Sequence, residues 1–80
     1  MTISVLLFAR YREVAGVDSI DVQVPENATL ADVWNQVKAK VPAFGREGGP
    51  LFSCDRAYAR ADRTLVGGEE IAIFPPVSGG

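Results

Sequence analysis

The sequence predicts an α+β roll, a mixed β-sheet packed on one main helix. Three observations predict it. Apolar residues alternate at the strand period near both ends, in TISVLLF and EIAIF, and only Leu30 to Val41 carries the helix period. A single helix can cover only one face of a sheet, so the order strand, strand, helix, short strands, strand describes a two-layer roll. The most economical arrangement sets the last strand beside the first at the sheet centre and leaves the C-terminus projecting from the sheet's end.

TISVLLFARY is rich in β-branched and aromatic residues, with Ile3, Val5 and Leu7 on one face and Ser4, Leu6 and Phe8 on the other. REVAGVDS is polar around Gly16 and reads as a turn. In IDVQV, Ile20, Val22 and Val24 point in and Asp21 and Gln23 out. This strand is expected to pair antiparallel with the first through a short loop. Pro25 ends it, and Thr29 with Asp32 forms a helix start close to a capping box. Leu30, Val33, Trp34, Val37 and Val41 make one helical stripe, Lys38 and Lys40 suit the C-terminal end of the dipole, and Pro42 stops the helix. AFGREGGP reads as a loop. Short extended pieces follow at Leu51 to Cys54 and Ala57 to Ala59, with turns at Asp55-Arg56, Asp62-Arg63 and Gly67-Gly68. The last strand, EIAIF, places Ile71 and Ile73 on one face.

Eighty residues, 48% hydrophobic and 22% charged, make one domain spanning 1–80. A chain this small buries only about 60% of its unfolded surface, so a deep substrate cavity would compete with the core. Function is expected at a surface or an end. The net charge is −2 and the basic residues are scattered, so the footprint of nucleic-acid binding is missing. The apolar runs are too short to span a bilayer, and MTISVLLF lacks the basic stretch and cleavage site of a signal peptide. A single cysteine, Cys54, forms no internal disulfide, which fits a reducing cytoplasm.

The chain has no histidine, and hence neither the usual general base nor the commonest metal ligand. No metal site is expected. The pairs Gly48-Gly49 and Gly67-Gly68 do not open a helix after a strand and read as turns rather than phosphate loops. Cys54 reads as a small buried hydrophobe. Asp55 and Asp62 have turn roles, and adjacent Glu69 and Glu70 are expected to diverge. Arg10, Arg12, Arg60 and Arg63 fit either an ordinary solvated surface or a partner contact.

The ending IFPPVSGG draws attention to the terminus itself. Pro75 and Pro76 cannot continue a ladder and eject the chain stiffly from the sheet. Val77 to Gly80 reach roughly 13 Å when extended. Gly79 and Gly80 fit a channel too narrow for any side chain, with the terminal carboxylate as a chemical handle.

LLFARYREVAG near the start and GEEIAIFPPVSGG at the end resemble the MoaD-like sulfur carriers, the small subunits of molybdopterin synthase within the ubiquitin-like β-grasp proteins. The resemblance covers the whole chain. CDRAYA stands where the family pattern has a form like V-N-x-x-Y, keeping Tyr58. The resemblance implies a β-grasp domain with a protruding tail at residues 75–80. It implies that an E1-like (MoeB-like) enzyme uses ATP and magnesium to adenylate Gly80, that a sulfur donor converts the adenylate to a thiocarboxylate, and that the arm then enters the large (MoaE-like) subunit. There the sulfur attacks the cyclic pyranopterin precursor, and two transfers build the dithiolene that holds molybdenum or tungsten. Gly80 would carry the sulfur, and Gly79, Ser78 and Val77 would thread. Phe8, Phe74, Pro75 and Pro76 would form an apolar patch that docks both partners. Plain core packing is the other reading of Phe8 and Phe74. The chain itself would bind no cofactor, act in a heterotetramer, and not be catalytic alone. A thiamine-pathway carrier shares the tail chemistry, a protein modifier would join Gly80 to a lysine amine instead, and a plain interaction module would leave the tail a passive end.

Overall fold

The computed structural model describes residues 1–46 and 49–76. Its elements run β1 (Thr2–Leu7), α1 (Arg10–Ala15), β2 (Ser19–Gln23), α2 (Leu30–Lys40), a 3-10 turn (Pro42–Arg46), β3 (Leu51–Cys54), β4 (Ala57–Ala59) and β5 (Ile71–Phe74). The five strands form one sheet in the order β2-β1-β5-β3-β4. β1 and β5 are parallel, with Leu6 opposite Ala72, and the other pairs are antiparallel. This is the expected β-grasp roll, with the last strand beside the first.

Side-chain alternation sorts the sheet into two faces. Ile3, Val5 and Leu7 of β1, Val22 of β2, Phe52 and Cys54 of β3, and Ile71 and Ile73 of β5 are buried. They pack with Leu30, Val33, Trp34 and Val37 of α2 in one core. Each such aliphatic side chain contributes about 1.5–3 kcal/mol by leaving water. The helix starts where its sequence says. Thr29 Oγ1 accepts from the Asp32 N–H at 3.3 Å, and the Asp32 carboxylate accepts from the Thr29 N–H at 2.9 Å, a complete capping box. Lys40 Nζ donates to the Asp21 carbonyl and occupies an acceptor on edge strand β2.

Two segments differ from expectation. REVAGVDS is not a simple turn: residues Arg10–Ala15 form α1. The first strand ends at Leu7, because Ala9 has φ 52° and the Tyr11 N–H donates to the Phe8 carbonyl at 3.2 Å, which turns the chain sharply. Tyr11 is thereby buried, its ring centroid 4.8 Å from Phe44 and 5.7 Å from Trp34. Gly16, left-handed at φ 75°, closes the helix with its N–H on the Arg12 carbonyl. So short a helix is unstable alone and leaves little periodicity to read. Within the expected loop AFGREGGP, Pro42–Arg46 winds into the 3-10 turn and buries Phe44 against the same aromatic pair.

The β3–β4 connection is a two-residue hairpin with positive φ at both Asp55 (51°) and Arg56 (70°). That is the type I′ geometry whose twist matches the strands. Asp55 ties the hairpin to the start of β5, its N–H donating to the Glu70 carbonyl and its carboxylate accepting the Glu70 N–H, both at 2.9 Å. Pro75 and Pro76 follow β5 directly. Val77, Ser78, Gly79 and Gly80 lie outside the described residues.

Candidate functional site

With its one long helix on one face, the sheet leaves the other face to solvent. Strand register determines what stands there. Leu6 pairs with Ala72, Ala72 with Ser53, and Ser53 with Tyr58, so these four side chains form a row across β1, β5, β3 and β4. In the next row Phe74 is opposite Leu51, and the Phe8 ring stacks on Phe74 with centroids 4.7 Å apart and planes 12° apart. The Tyr58 ring meets Phe74 edge-on at 6.3 Å. Small side chains lie between large ones, so the face is dished. A depression of about 400 Å³ has Ala72 and Ser53 as its floor, Leu6, Phe8, Phe74 and Tyr58 as walls, and Arg56 and Glu70 at one end.

Phe8 is 38% exposed and Tyr58 78%, while Phe74 and Pro75 are half-buried and Pro76 exposed. Phe8 therefore does not serve the core, and the reading of Phe8 and Phe74 as plain core packing is set aside. Phe8, Phe74 and Tyr58 thus form a contiguous apolar patch on the open face, with Arg56 and Glu70 at its polar end. β5 carries Phe74 in this patch and runs into Pro75, so the patch and the start of the C-terminal arm share one rigid strand.

Other chemistry is weak among the described residues. The first-turn N–H groups of α2 are occupied: Leu30 donates to Arg63 O, Ala31 to Ala61 O, Asp32 to Thr29 Oγ1 and Val33 to Thr29 O. An anion has no seat there. Among these residues no group of three or more His, Cys, Asp or Glu is placed to hold a metal. Cys54 is buried and free, and desolvation raises its pKa, which keeps the thiol protonated and unreactive. No helix is long and apolar enough to cross a membrane among the described residues. Arg60 pairs with Asp62 at 3.4 Å on an exposed turn.

Glu69 and Glu70 do diverge. Glu70 faces the open-face depression, whereas the Glu69 carboxylate accepts the Val66 N–H at 2.9 Å and the Gly67 N–H at 2.6 Å. Those backbone donors, Val66 first, hold the Glu69 pKa below the usual carboxylate range. A lowered folded-state pKa gives stability that is full above the ordinary Glu value and is lost as pH falls through the folded one. Glu69→Gln should therefore melt below the wild type at about pH 7, and the gap should close towards about pH 3, in thermal melts of both proteins. A constant gap would mean that the charge is not what orders this loop.

The sequence pointed to Phe8, Phe74, Pro75 and Pro76 but not to Leu6, Leu51 or Tyr58 as part of the same surface. The signal was present in the Asp55-Arg56 turn. A two-residue turn fixes the hairpin register, and the register sets Tyr58 opposite Ser53 on the open face.

Comparison with known proteins gives a consistent picture. A model of the ThiS family matches residues 5–80. The molybdopterin synthase sulfur carrier subunit of Chlamydomonas reinhardtii is 37% identical over 83 residues, covering 100% of both chains. The human subunit of the same name is 32% identical over 82 residues, covering 98% of this chain and 93% of its own. Among solved structures, the crystal structure of small archaeal modifier protein 1 from Haloferax volcanii superposes with a TM-score of 0.85 at 30% identity, covering 100% of each chain.

Proposed function

The chain belongs to the ThiS family, and from that membership we propose that it is the sulfur-carrier small subunit of a molybdopterin synthase. The observation that carries the reading is the open face: β5 presents Phe74 to a docking depression and leads through Pro75 and Pro76 to a Gly-Gly terminus. A protein that docks by this face brings Pro75 and Pro76, the start of its C-terminal arm, to the partner in a constant direction.

The chemistry belongs to the terminal carboxylate. Unactivated, it is a poor acyl donor. Attack of a Gly80 carboxylate oxygen on the α-phosphorus of ATP, held with magnesium by an E1-like activating enzyme, expels pyrophosphate and leaves an acyl adenylate. Sulfur from a donor then attacks the acyl carbon, AMP leaves, and a thiocarboxylate remains. In the large subunit that sulfur is the nucleophile towards the cyclic pyranopterin precursor; water then cleaves the resulting thioester, which leaves the sulfur on the precursor and returns the Gly80 carboxylate, and two such deliveries build a dithiolene. Gly79, Ser78 and Val77 thread the arm. Acid–base groups come from the partners, in keeping with a chain that has no histidine. The same face serves the activating enzyme and the large subunit, so the carrier must leave one to reach the other.

The likeness to small archaeal modifier protein 1 supports a second reading. The same adenylate attacked by a lysine amine yields an isopeptide bond. A thiamine-pathway carrier would share the loading step, but the full-length relatives named as molybdopterin synthase subunits favour the first reading. The test is the intact mass after incubation with the activating enzyme, ATP, magnesium and a sulfide source. A gain equal to the difference between sulfur and oxygen, followed by pyranopterin turnover once the large subunit is added, is expected. A gain the size of a second protein would establish the modifier, and no gain would remove the carrier reading.

A further inference from the structure

The polar end of the depression holds a residue that folding alone does not favour. Arg56 is the second residue of the type I′ turn, with φ 70°. Asp-Gly and Asn-Gly dominate such turns, because glycine alone enters this conformation without strain at the second position. This chain keeps Asp55, whose carboxylate is used on the Glu70 N–H, but has arginine where glycine would relax the backbone.

The arginine returns little to the fold. Among the described residues its ion pair is with Glu70, through Nε at 3.7 Å, and the two side chains are 88% and 50% exposed. An exposed, single-point pair of this kind adds almost nothing to stability. Residues held in disfavoured backbone conformations without a stabilising return cluster at functional sites. Arg56 lines the same depression as Phe8, Phe74 and Tyr58, so it lies on the rim of the proposed docking face rather than on a separate surface.

We propose that Arg56 is a specificity-determining residue of this face, recognising a carboxylate on the large subunit that lies beside the apolar group entering the depression. The inference rests on the docking reading above. A guanidinium is a planar fork matched to a carboxylate, and the Nε contact leaves most of this one open to solvent. Glu70, held through its backbone to Asp55, stands beside the fork at the end of the depression. A carboxylate from the partner displaces Glu70 or joins it, in a setting drier than the free surface provides.

The experiment compares wild type, Arg56→Gly, Arg56→Lys and Phe74→Asp for thermal melting and for association with the purified large subunit at low and high salt. Arg56→Gly should melt a few degrees higher, yet bind about tenfold more weakly at low salt, with the loss mainly in the association rate. Its deficit should shrink at high salt. Arg56→Lys, which keeps the charge on the same strained backbone but not the planar fork, should melt like the wild type and recover only part of the affinity lost in Arg56→Gly. Binding of Arg56→Gly equal to wild type, while Phe74→Asp abolishes docking, overturns the role of Arg56 and leaves the docking face standing. Undiminished binding of Phe74→Asp overturns the docking face itself, and the inference with it.

Discussion

Deleting Gly80 is expected to leave the melting temperature unchanged and to abolish productive sulfur loading. The packed core ends with β5, whose Ile71 and Ile73 are fully buried, while Pro75 is half-buried and Pro76 exposed. Gly80 lies beyond these residues in the chain and outside those described. The shortened chain still ends in a glycine carboxylate, so the functional group survives. What changes is reach, by roughly 3.3–3.6 Å, one extended residue. Acyl transfer depends on the reacting atoms meeting at close range, and a misplacement of about 1 Å can cost a factor of about 100 in rate. Intact mass after the loading reaction reads the outcome, and thermal melting controls for folding. A large drop in melting temperature would show that the terminus supports the fold. Normal loading would show that the arm is not measured out to Gly80.

Phe74→Asp should fold and fail to dock. The Phe74 ring stacks on Phe8 and meets Tyr58 edge-on, joining the aromatic groups of the open face. It is half-buried and projects away from the helix-covered core, so its loss opens no internal cavity. An aspartate there leaves an unpaired carboxylate in the middle of an apolar contact and must be desolvated for the partner to seat. Aromatic residues at the centre of an interface typically contribute 2 kcal/mol or more, so affinity for the large subunit should fall by a factor of at least about 30. Calorimetry against the large subunit measures it. Because one face is proposed for both partners, the variant should also load poorly with the activating enzyme. A variant that loads normally but does not bind the large subunit would separate the two surfaces.

The strands and α2 were legible because their own side chains determine them. Ile3, Val5 and Leu7 alternate, Ile20, Val22 and Val24 alternate, and Leu30, Val33, Trp34 and Val37 recur at the helical period. Thr29 and Asp32 mark the helix start in the sequence and cap it in the structure. These are local patterns whose period matches the backbone geometry. The C-terminal motif PPVSGG stands in the sequence as the basis of the proposed carrier chemistry.

The sequence by itself thus determined the layer architecture and the alternating faces of β1, β2 and β5. Tertiary structure alone decided α1, whose six residues are held by Tyr11 packed between Trp34 and Phe44 from two other segments. It also decided the docking depression. Leu6, Ser53, Tyr58 and Ala72 are ordinary residues scattered over four strands, and they become a row only through the pairing register. The physical reason is separation along the chain. Periodicity reports which way a side chain points, but which distant side chains stand beside it depends on contacts that form only when the sheet closes.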